Sequence, residues 1–304
     1  MLEKFAHHKV RYSLAILYGL AMVAAVIFIR AFWTPDIIFL TLLGFFIILG
    51  EGKQFLLYFL PFIVLLLSYE KLRSLAPLLN SHVHYTEMIH FDRWLFGGTV
   101  PTQTLQHLLF HGYVQWYDFA LYLLYMMHFI VPLLLAVVIW RTQIKYYWRF
   151  VTSLLILSFA GFITYVAFPA APPWLASEKG ILTPQIVHIS SSIWQAFGVN
   201  NFSSFYNRLS PNLVAAVPSL HAAYPFLFAL IIRKIWGNKW FALAMLYPLV
   251  IWFGVVYLGE HYVIDVLLGV VYATLSYIAA PHLLRLIQKF KIYLKNKKTD
   301  KTKK

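Results

Sequence analysis

Long runs of apolar residues alternate with short polar segments along the whole chain. The runs cover residues 12–29, 37–50, 54–69, 119–140, 147–168, 217–236, 240–258 and 262–284, and most could cross the hydrocarbon core of a bilayer as helices. The short runs at 37–50 and 54–69 could instead form one re-entrant hairpin, which would leave the later spans unchanged. We predict an all-α, polytopic membrane helical bundle of about eight transmembrane helices.

The composition is typical of a protein whose solvent is a bilayer. Hydrophobic residues make up 61% of the 304 positions and charged residues 12%, which is too apolar for an ordinary soluble domain. The chain has no cysteine, so disulfides, thiolate catalysis and cysteine-based metal centres are excluded. The net charge of +14 does not indicate nucleic-acid binding, because the basic residues lie between apolar runs and at the chain ends.

Two polar motifs stand at the outer edge of apolar spans, where ionisable residues are costly unless they have a function. In GEHYVID, Asp265 follows His261 by four residues. One helical turn would place the carboxylate beside the imidazole and let it hold one ring nitrogen, which makes the other nitrogen a better nucleophile or base. In PSLH, Ser219 is well placed as a helix N-cap and puts His221 in the first helical turn.

Both histidines are predicted near the N-termini of spans that run from outside to inside. Free N–H groups and the positive end of the helix dipole favour an anion there, and phosphate is the natural ligand. One imidazole could attack phosphorus while the other protonates the departing oxygen, with Asp265 stabilising the imidazolium. This chemistry needs no metal and no other cofactor.

VPSLHAAYP and YLGEHYVIDVLLG resemble, in order and spacing, the second and third signature motifs of the type 2 phosphatidic acid phosphatase superfamily. The resemblance covers roughly residues 90–280 and implies a six-helix core that cleaves or transfers phosphoesters through a phosphohistidine intermediate. It implies that His261 is the nucleophile, Asp265 its orienting carboxylate and His221 the general acid.

The usual phosphate-binding residues of this superfamily are absent. The first motif, a Lys followed at a distance by Arg-Pro, is missing, and Gly254 and Val255 replace the Ser-Arg pair before the third motif. YVAFPAAPPW (165–174), DRWLFGGTVPT (92–102) and YMMHFIVP (125–132) resemble the inositol phosphorylceramide synthase branch. That branch moves a phosphoinositol headgroup onto a lipid alcohol.

Without the usual phosphate clamp, charge neutralisation is expected from the helix termini, from a protonated histidine or from an outer basic residue. Arg208, just upstream of PSLH, is the first candidate, and Lys179 and Arg93 follow. Further substrate contacts are expected from Ser219, Tyr165, Pro172, Pro173 and Trp174, although the proline-rich run could equally do no more than end its span. We expect Glu260 to face lipid headgroups and His128 to make a structural hydrogen bond inside its span.

These patterns predict a membrane enzyme that acts on lipid phosphoesters, with a pocket between spans five, six and eight. Transfer of an inositol phosphate-like headgroup to a lipid alcohol is favoured, and release of phosphate to water is the alternative. A non-catalytic lipid-binding or transport protein is the rival from another class. The expected partners are a phospholipid donor and a lipid alcohol or water acceptor, without nucleic acid.

The distribution of lysine and arginine predicts the topology. With the N-terminus inside, most of the 25 basic residues lie in cytoplasmic segments, so we expect both termini to be cytoplasmic and the active site to be extracytoplasmic. A bacterial plasma membrane is the expected location, and a eukaryotic secretory membrane with a lumenal site is the alternative that obeys the same charge rule. The chain then divides into N-terminal transmembrane helices (1–70), an outer-face interfacial segment (71–118), a catalytic transmembrane bundle (119–285) and a basic cytoplasmic tail (286–304). A further amphipathic helix is predicted at 183–198.

Overall fold

The computed structural model describes residues 2–28, 34–198 and 212–301, and these residues are helices joined by turns and short extended segments. The α-helices are α1 (Leu2–Phe28), α2 (Pro35–Ile48), α3 (Gly52–Leu79), α4 (Thr86–Leu95), α5 (Pro101–Leu109), α6 (Trp116–Met126), α7 (Val131–Thr142), α8 (Tyr147–Ala167), α9 (Pro173–Glu178), α10 (Ile189–Ala196), α11 (Leu220–Trp236), α12 (Asn238–Ala244), α13 (Leu246–Tyr257) and α14 (Val263–Lys301). No strand occurs in these residues, so the predicted all-α class is confirmed.

Every predicted span is helical, but not every one is a single helix of spanning length. In the described part of the chain, five helices are long and apolar enough to cross a membrane, and the bent pair α6 and α7 would make six. The shorter ones are α2, with 14 residues, and α11, with 17. The sequence predicted short second and third runs. Only the second is short, because α3, which contains the third run, extends over 28 residues. The protein is therefore an integral membrane protein, although the count of eight spans is not confirmed.

The fourth predicted span is bent near the start of α11. Between α6 and α7 the axis turns by 56°, next to a 3-10 turn at Met127–Phe129. Pro132 stands in the first turn of α7 and has no N–H to continue the hydrogen-bond ladder of α6. The bend places His128 beside the start of α11.

The bundle is built around α8, which packs against α3, α11 and α14. Close contact between α11 and α14 depends on Gly269, because a Cβ there would lie 2.5 Å from the Ser219 carbonyl oxygen. A glycine therefore lets the two helices that carry the PSLH and GEHYVID motifs approach each other.

Four helix ends meet at one end of the bundle, where α3 and α8 finish and α11 and α14 begin. The Asn80 side chain donates to the Val166 carbonyl at 2.9 Å, and the Ser219 N–H donates to the Asp265 carbonyl at 3.0 Å. The PAAPPW segment is fixed on both sides by backbone hydrogen bonds, to His84 and to Val214. The segment before PSLH is thereby held beside the end of α8.

The outer-face segments differ from the prediction in two places. Helix α3 continues to Leu79, so the interfacial segment predicted from residue 71 begins inside a helix. The helix predicted over 183–198 is wrong in its first half, since α10 begins at Ile189. Upstream of α10, backbone N–H groups are hydrogen-bonded to side chains and not to helix carbonyls. The Ser177 hydroxyl oxygen accepts the Ile186 N–H, and the Gln106 side-chain oxygen accepts the Val187 N–H.

Candidate active site

A cavity lies where the four helix ends meet, and its lining mixes titratable side chains with aromatic and apolar ones. The residues that line it are Tyr69, Glu70, Arg73, Tyr122, Tyr125, Met126, His128, Phe129, Tyr165, Pro172, Asn212, Leu213, Ala215, Ala216, Leu220, His221, Glu260 and His261. Both motif histidines therefore face one space. Helices α3 and α6 contribute to it, beyond the three spans that the sequence predicted.

His261 and Asp265 form a buried pair at the start of α14. His261 is 5% exposed and Asp265 fully buried, and His261 Nδ1 lies 3.3 Å from Asp265 Oδ2. When Asp265 is ionised its carboxylate can only accept a hydrogen bond, so this contact favours the His261 tautomer that carries its proton on Nδ1 and leaves Nε2 as the basic nitrogen. The pair does not stack on one continuous helix as predicted. His261 precedes the helix, and Asp265 turns back to accept the Tyr262 N–H at 2.9 Å, in the manner of a capping box.

His221 is positioned by the start of α11. The Ser219 hydroxyl oxygen accepts the Ala222 N–H at 3.2 Å, so Ser219 is the N-cap, and His221 lies in the first turn. Unpaired N–H groups at such a helix start point toward the cavity end of the bundle. The local structure that the sequence predicts for PSLH is the one observed.

The His221 ring lies among other rings inside the cavity. It stacks on Tyr125, with ring centroids 4.1 Å apart, and lies 4.3 Å from the His128 ring. The centroids of His221 and His261 are 5.7 Å apart, so one small group such as a phosphoryl can contact both imidazoles. Among the described residues, no group of three His, Asp or Glu side chains is arranged to hold a metal ion.

Comparison with known proteins assigns this arrangement to a family. A sequence model described as the PAP2 superfamily matches residues 86–279. The chain belongs to the PAP2 superfamily. It is 32% identical over 230 residues to a phosphoinositol dihydroceramide synthase of Bacteroides thetaiotaomicron. The aligned region covers 72% of this chain and 74% of that protein.

A second relative of this PAP2 superfamily chain is fungal. The chain is 29% identical over 131 residues to the inositol phosphorylceramide synthase catalytic subunit aur1 of Schizosaccharomyces pombe. This aligned region covers 40% of this chain and 30% of that protein. No solved structure matches. The chain is thus an enzyme of the lipid phosphotransferase and phosphatase class, and the resemblance read from its motifs is confirmed.

The predicted substrate-binding residues of this PAP2 superfamily chain fall into three groups. Tyr165 and Pro172 line the cavity, and the Tyr165 hydroxyl donates to the Pro218 carbonyl at 3.0 Å. Other described candidates are not among the lining residues: Ser219 as N-cap, Pro173 and Trp174 packed in α9, the exposed Lys179 and the half-buried Arg93. Arg208 lies outside the described residues.

Helix α3 supplies part of the cavity wall, which the sequence motifs do not predict. Tyr69, Glu70 and Arg73 line the cavity, yet all three precede residue 86, where the family match begins. The available signal was a pair of charged residues at the end of an apolar run, since charges at span edges favour function. The apolar run at 54–69 was predicted to end before these charged residues, so they were not assigned to a span.

Asp92, which the sequence marked only as part of a resemblance, caps the start of α14. Its two carboxylate oxygens accept the Val263 and Ile264 N–H groups at 2.9 and 3.1 Å. These two N–H groups lie in the first turn of α14, where no preceding helix carbonyl can accept them. Burial raises the pKa of Asp92 to about 6, although the two backbone hydrogen bonds oppose this rise.

Two other expectations need correction. Glu260 does not face headgroups: it is buried, and its carboxylate accepts from Ser190 at 2.5 Å and pairs with His188 at 3.1 Å. Burial raises the pKa of Glu260, but His188 and Ser190 outweigh burial and hold it below the usual value. His128 makes no hydrogen bond within the described residues; its ring instead stacks on Tyr224, with centroids 4.6 Å apart.

Proposed function

We propose that this enzyme transfers an inositol phosphate headgroup from a phospholipid to a ceramide-like lipid alcohol through a phosphohistidine intermediate. The observation that carries the proposal is the placement of the paired His261 and the opposing His221 on one cavity. The relative from Bacteroides thetaiotaomicron, named for phosphoinositol dihydroceramide synthesis, supports the choice of headgroup and acceptor.

The geometry supports a two-step reaction. His261 Nε2 attacks phosphorus, an N–P bond forms, and the O–P bond to the donor lipid breaks while His221 gives its proton to the departing oxygen. The acceptor alcohol then loses its proton to His221, its oxygen attacks phosphorus, and the N–P bond breaks. Asp265 stabilises the His261 imidazolium through Nδ1, and the negative phosphate favours the protonated form of His221.

The walls of the cavity favour a lipid alcohol over water as the acceptor. Aromatic and apolar side chains such as Tyr122, Phe129 and Leu213 line much of it. Such walls bind acyl chains and exclude water, which would otherwise hydrolyse the intermediate.

The charge distribution supports an extracytoplasmic active site with both termini cytoplasmic, on a bacterial plasma membrane. Arg141 and Arg233 lie at the last turns of α7 and α11, away from the helix starts that carry the site. The proposed segments, 1–70, 71–118, 119–285 and 286–304, follow from this orientation. Because the chain has no cysteine, single cysteines at His107 and at Lys239, labelled with a membrane-impermeant maleimide, test it: only the first should react from outside.

The proposed reaction is tested with purified protein in nanodiscs that contain phosphatidylinositol and a ceramide. Wild type should form an inositol-phosphoryl lipid, and both His261→Ala and His221→Ala should lose this product. His107→Ala is the matched control, because His107 is an exposed imidazole outside the cavity lining. Rapid quenching with a donor labelled at phosphorus should trap an acid-labile phosphoenzyme in wild type and none in His261→Ala.

The products distinguish the alternatives. Water-soluble inositol phosphate in place of a new lipid would make the protein a hydrolase of the same superfamily. The absence of both products from folded wild type, across a panel of donors and acceptors, would overturn headgroup transfer.

A further inference from the structure

The cavity contains one basic side chain that neither the motifs nor the family match assigns. Of the described residues that line it, Arg73 is the only lysine or arginine. Arg93 is half-buried outside the cavity lining and donates to the Thr183 carbonyl at 3.1 Å, and Lys179 is exposed at the end of α9. Among the described residues, the basic side chain at the cavity therefore comes from the end of α3 and not from the segments where the sequence predicted it.

The position of Arg73 is fixed by two contacts. Its Nη2 donates to Glu70 Oε2 at 3.0 Å, one helical turn away. Its backbone carbonyl accepts from the Asn212 side chain at 3.2 Å. Since Asn212 leads into the PSLH segment, Arg73 is tied to the same backbone that positions His221.

The Arg73 guanidinium has N–H groups for which the described residues provide no acceptor. Arg73 Nε is buried and has no hydrogen-bond partner within the described residues, and Glu70 accepts from Nη2 alone. A buried donor without a partner is costly, and arginine presents its five N–H groups as a planar fork that matches phosphate oxygens. The guanidinium shares the cavity lining with His128 and His221.

We propose that Arg73 binds the phosphate of the donor lipid and of the phosphohistidine intermediate, in place of the clamp residues that the motifs lack. This assignment rests on the proposed headgroup transfer and adds a binding residue from a helix that precedes the family-matched region. The side chain is 13% exposed and its partner Glu70 24%, so the pair keeps a cation at the cavity wall while Glu70 orients it.

A purely structural ion pair is the competing explanation, and Glu70 separates the two. If Arg73 only stabilises the fold through Glu70, removal of either charge should have the same effect. If Arg73 binds phosphate, Glu70→Gln keeps the cation and retains most phosphate binding, whereas Arg73→Gln loses it. The double variant Glu70→Gln with Arg73→Gln leaves no unpaired charge, so it guards against misfolding of the single variant.

The experiment measures steady-state transfer and anion binding on the same nanodisc preparations. Arg73→Gln should lower kcat/KM for phosphatidylinositol by roughly 10²–10³-fold, Arg73→Lys by about tenfold, and added guanidinium should restore part of the Arg73→Gln activity. Thermal stabilisation by orthovanadate, a phosphate mimic, should be present in wild type and absent in Arg73→Gln and in the double variant. Lys71→Ala is the control, because it removes an exposed cation two residues away on the same helix.

Each outcome decides one of the two proposals. Equal losses in Glu70→Gln and Arg73→Gln without guanidinium rescue, or full vanadate stabilisation in the double variant, would overturn phosphate binding by Arg73 while headgroup transfer by wild type stands. Vanadate stabilisation that depends on Arg73, in a wild type that transfers no headgroup, would support the phosphate site and overturn the proposed reaction.

Discussion

Each end of the bundle holds an arginine paired with a glutamate, and the two pairs lie in different surroundings. At the site end, Arg73 and Glu70 are 13% and 24% exposed and line the cavity. At the opposite end, Arg141 and Glu51 are 40% and 29% exposed, and the Arg141 guanidinium lies over the Phe46 and Trp140 rings.

The side chains behind the two pairs differ as well. Beneath Arg141 the core is a stack of rings, in which the centroids of Phe55 and Phe59 are 4.3 Å apart and those of Phe46 and Phe55 are 5.0 Å apart. The site end instead buries carboxylates, including Asp92, Asp265 and Glu260. Buried charges stabilise a fold weakly even when they are paired, so the aromatic end supplies packing while the site end carries polar groups for chemistry.

The largest expected effect comes from Asp265→Asn at the site end. An amide cannot support the His261 imidazolium, and its NH₂ group competes for the wrong ring tautomer. We expect kcat for headgroup transfer to fall roughly 10²–10⁴-fold, while the protein stays folded. Transfer rates and thermal unfolding of the two proteins in nanodiscs provide the measurement.

Asp118→Asn is the control for the loss of a buried carboxylate. Asp118 is equally buried, but it accepts from the Tyr257 hydroxyl at 2.6 Å and from the Gln115 N–H at 2.8 Å, away from the cavity lining. Its variant should lose stability and keep its turnover per folded molecule. Equal losses of turnover in both variants would contradict a special role for Asp265.

The next largest effect is expected at Gly269, where α11 and α14 touch. The Cβ of Gly269→Ala would lie 2.5 Å from the Ser219 carbonyl oxygen, a backbone atom, so the start of α11 must shift and carry His221 away from His261. Overpacking of this kind costs about 1–3 kcal/mol, and a shift of an ångström lowers rates by up to about 10²-fold. Transfer assays and unfolding measure both effects.

Gly19→Ala serves as the control, since a Cβ at Gly19 meets nothing within 4 Å. If Gly269→Ala kept wild-type turnover and stability, the close approach of the two helices would not be what sets the distance between the histidines.

The local contacts of the site could be predicted from the sequence further than its shape. The capping of α11 by Ser219 and the pairing of His261 with Asp265 are local, so the motifs predicted both, although Asp265 caps α14 where stacking within one helix was predicted. Arg73 could not be predicted as a lining residue, because it precedes His221 by a long stretch of chain and only the packing of α3 on α8 brings it there. The buried partners of Glu260, and the capping of α14 by Asp92, are equally non-local.

A smaller, pH-dependent effect is expected from Asp92→Asn. The pKa of Asp92 is raised from 3.8 to about 6 in the fold, so the folded state binds more protons than the unfolded state between these values. The stabilisation is complete below about pH 4 and is lost as pH rises through 6, a change of about 3 kcal/mol. The unfolding free energy of wild type should therefore fall by that amount relative to Asp92→Asn between pH 4 and pH 7.

Glu87→Gln on the same helix gives the opposite sign. The hydrogen bond from His84 lowers the pKa of Glu87, so wild type should gain stability relative to this variant as pH rises through the acid range. A difference between wild type and Asp92→Asn that does not change with pH would contradict the raised pKa.

The smallest effect is expected from the ion pair at the aromatic end. Because Glu51 and Arg141 are substantially exposed, a double-mutant cycle with Glu51→Gln and Arg141→Gln should give a coupling of about 0–1 kcal/mol in unfolding, with transfer activity unchanged. The same cycle on Glu70 and Arg73 should change kcat/KM as well. A coupling well above 1 kcal/mol for the exposed pair, or a loss of activity in its variants, would show that charge at the aromatic end also acts on the site. The assignment of packing to one end of the bundle and chemistry to the other would then be wrong.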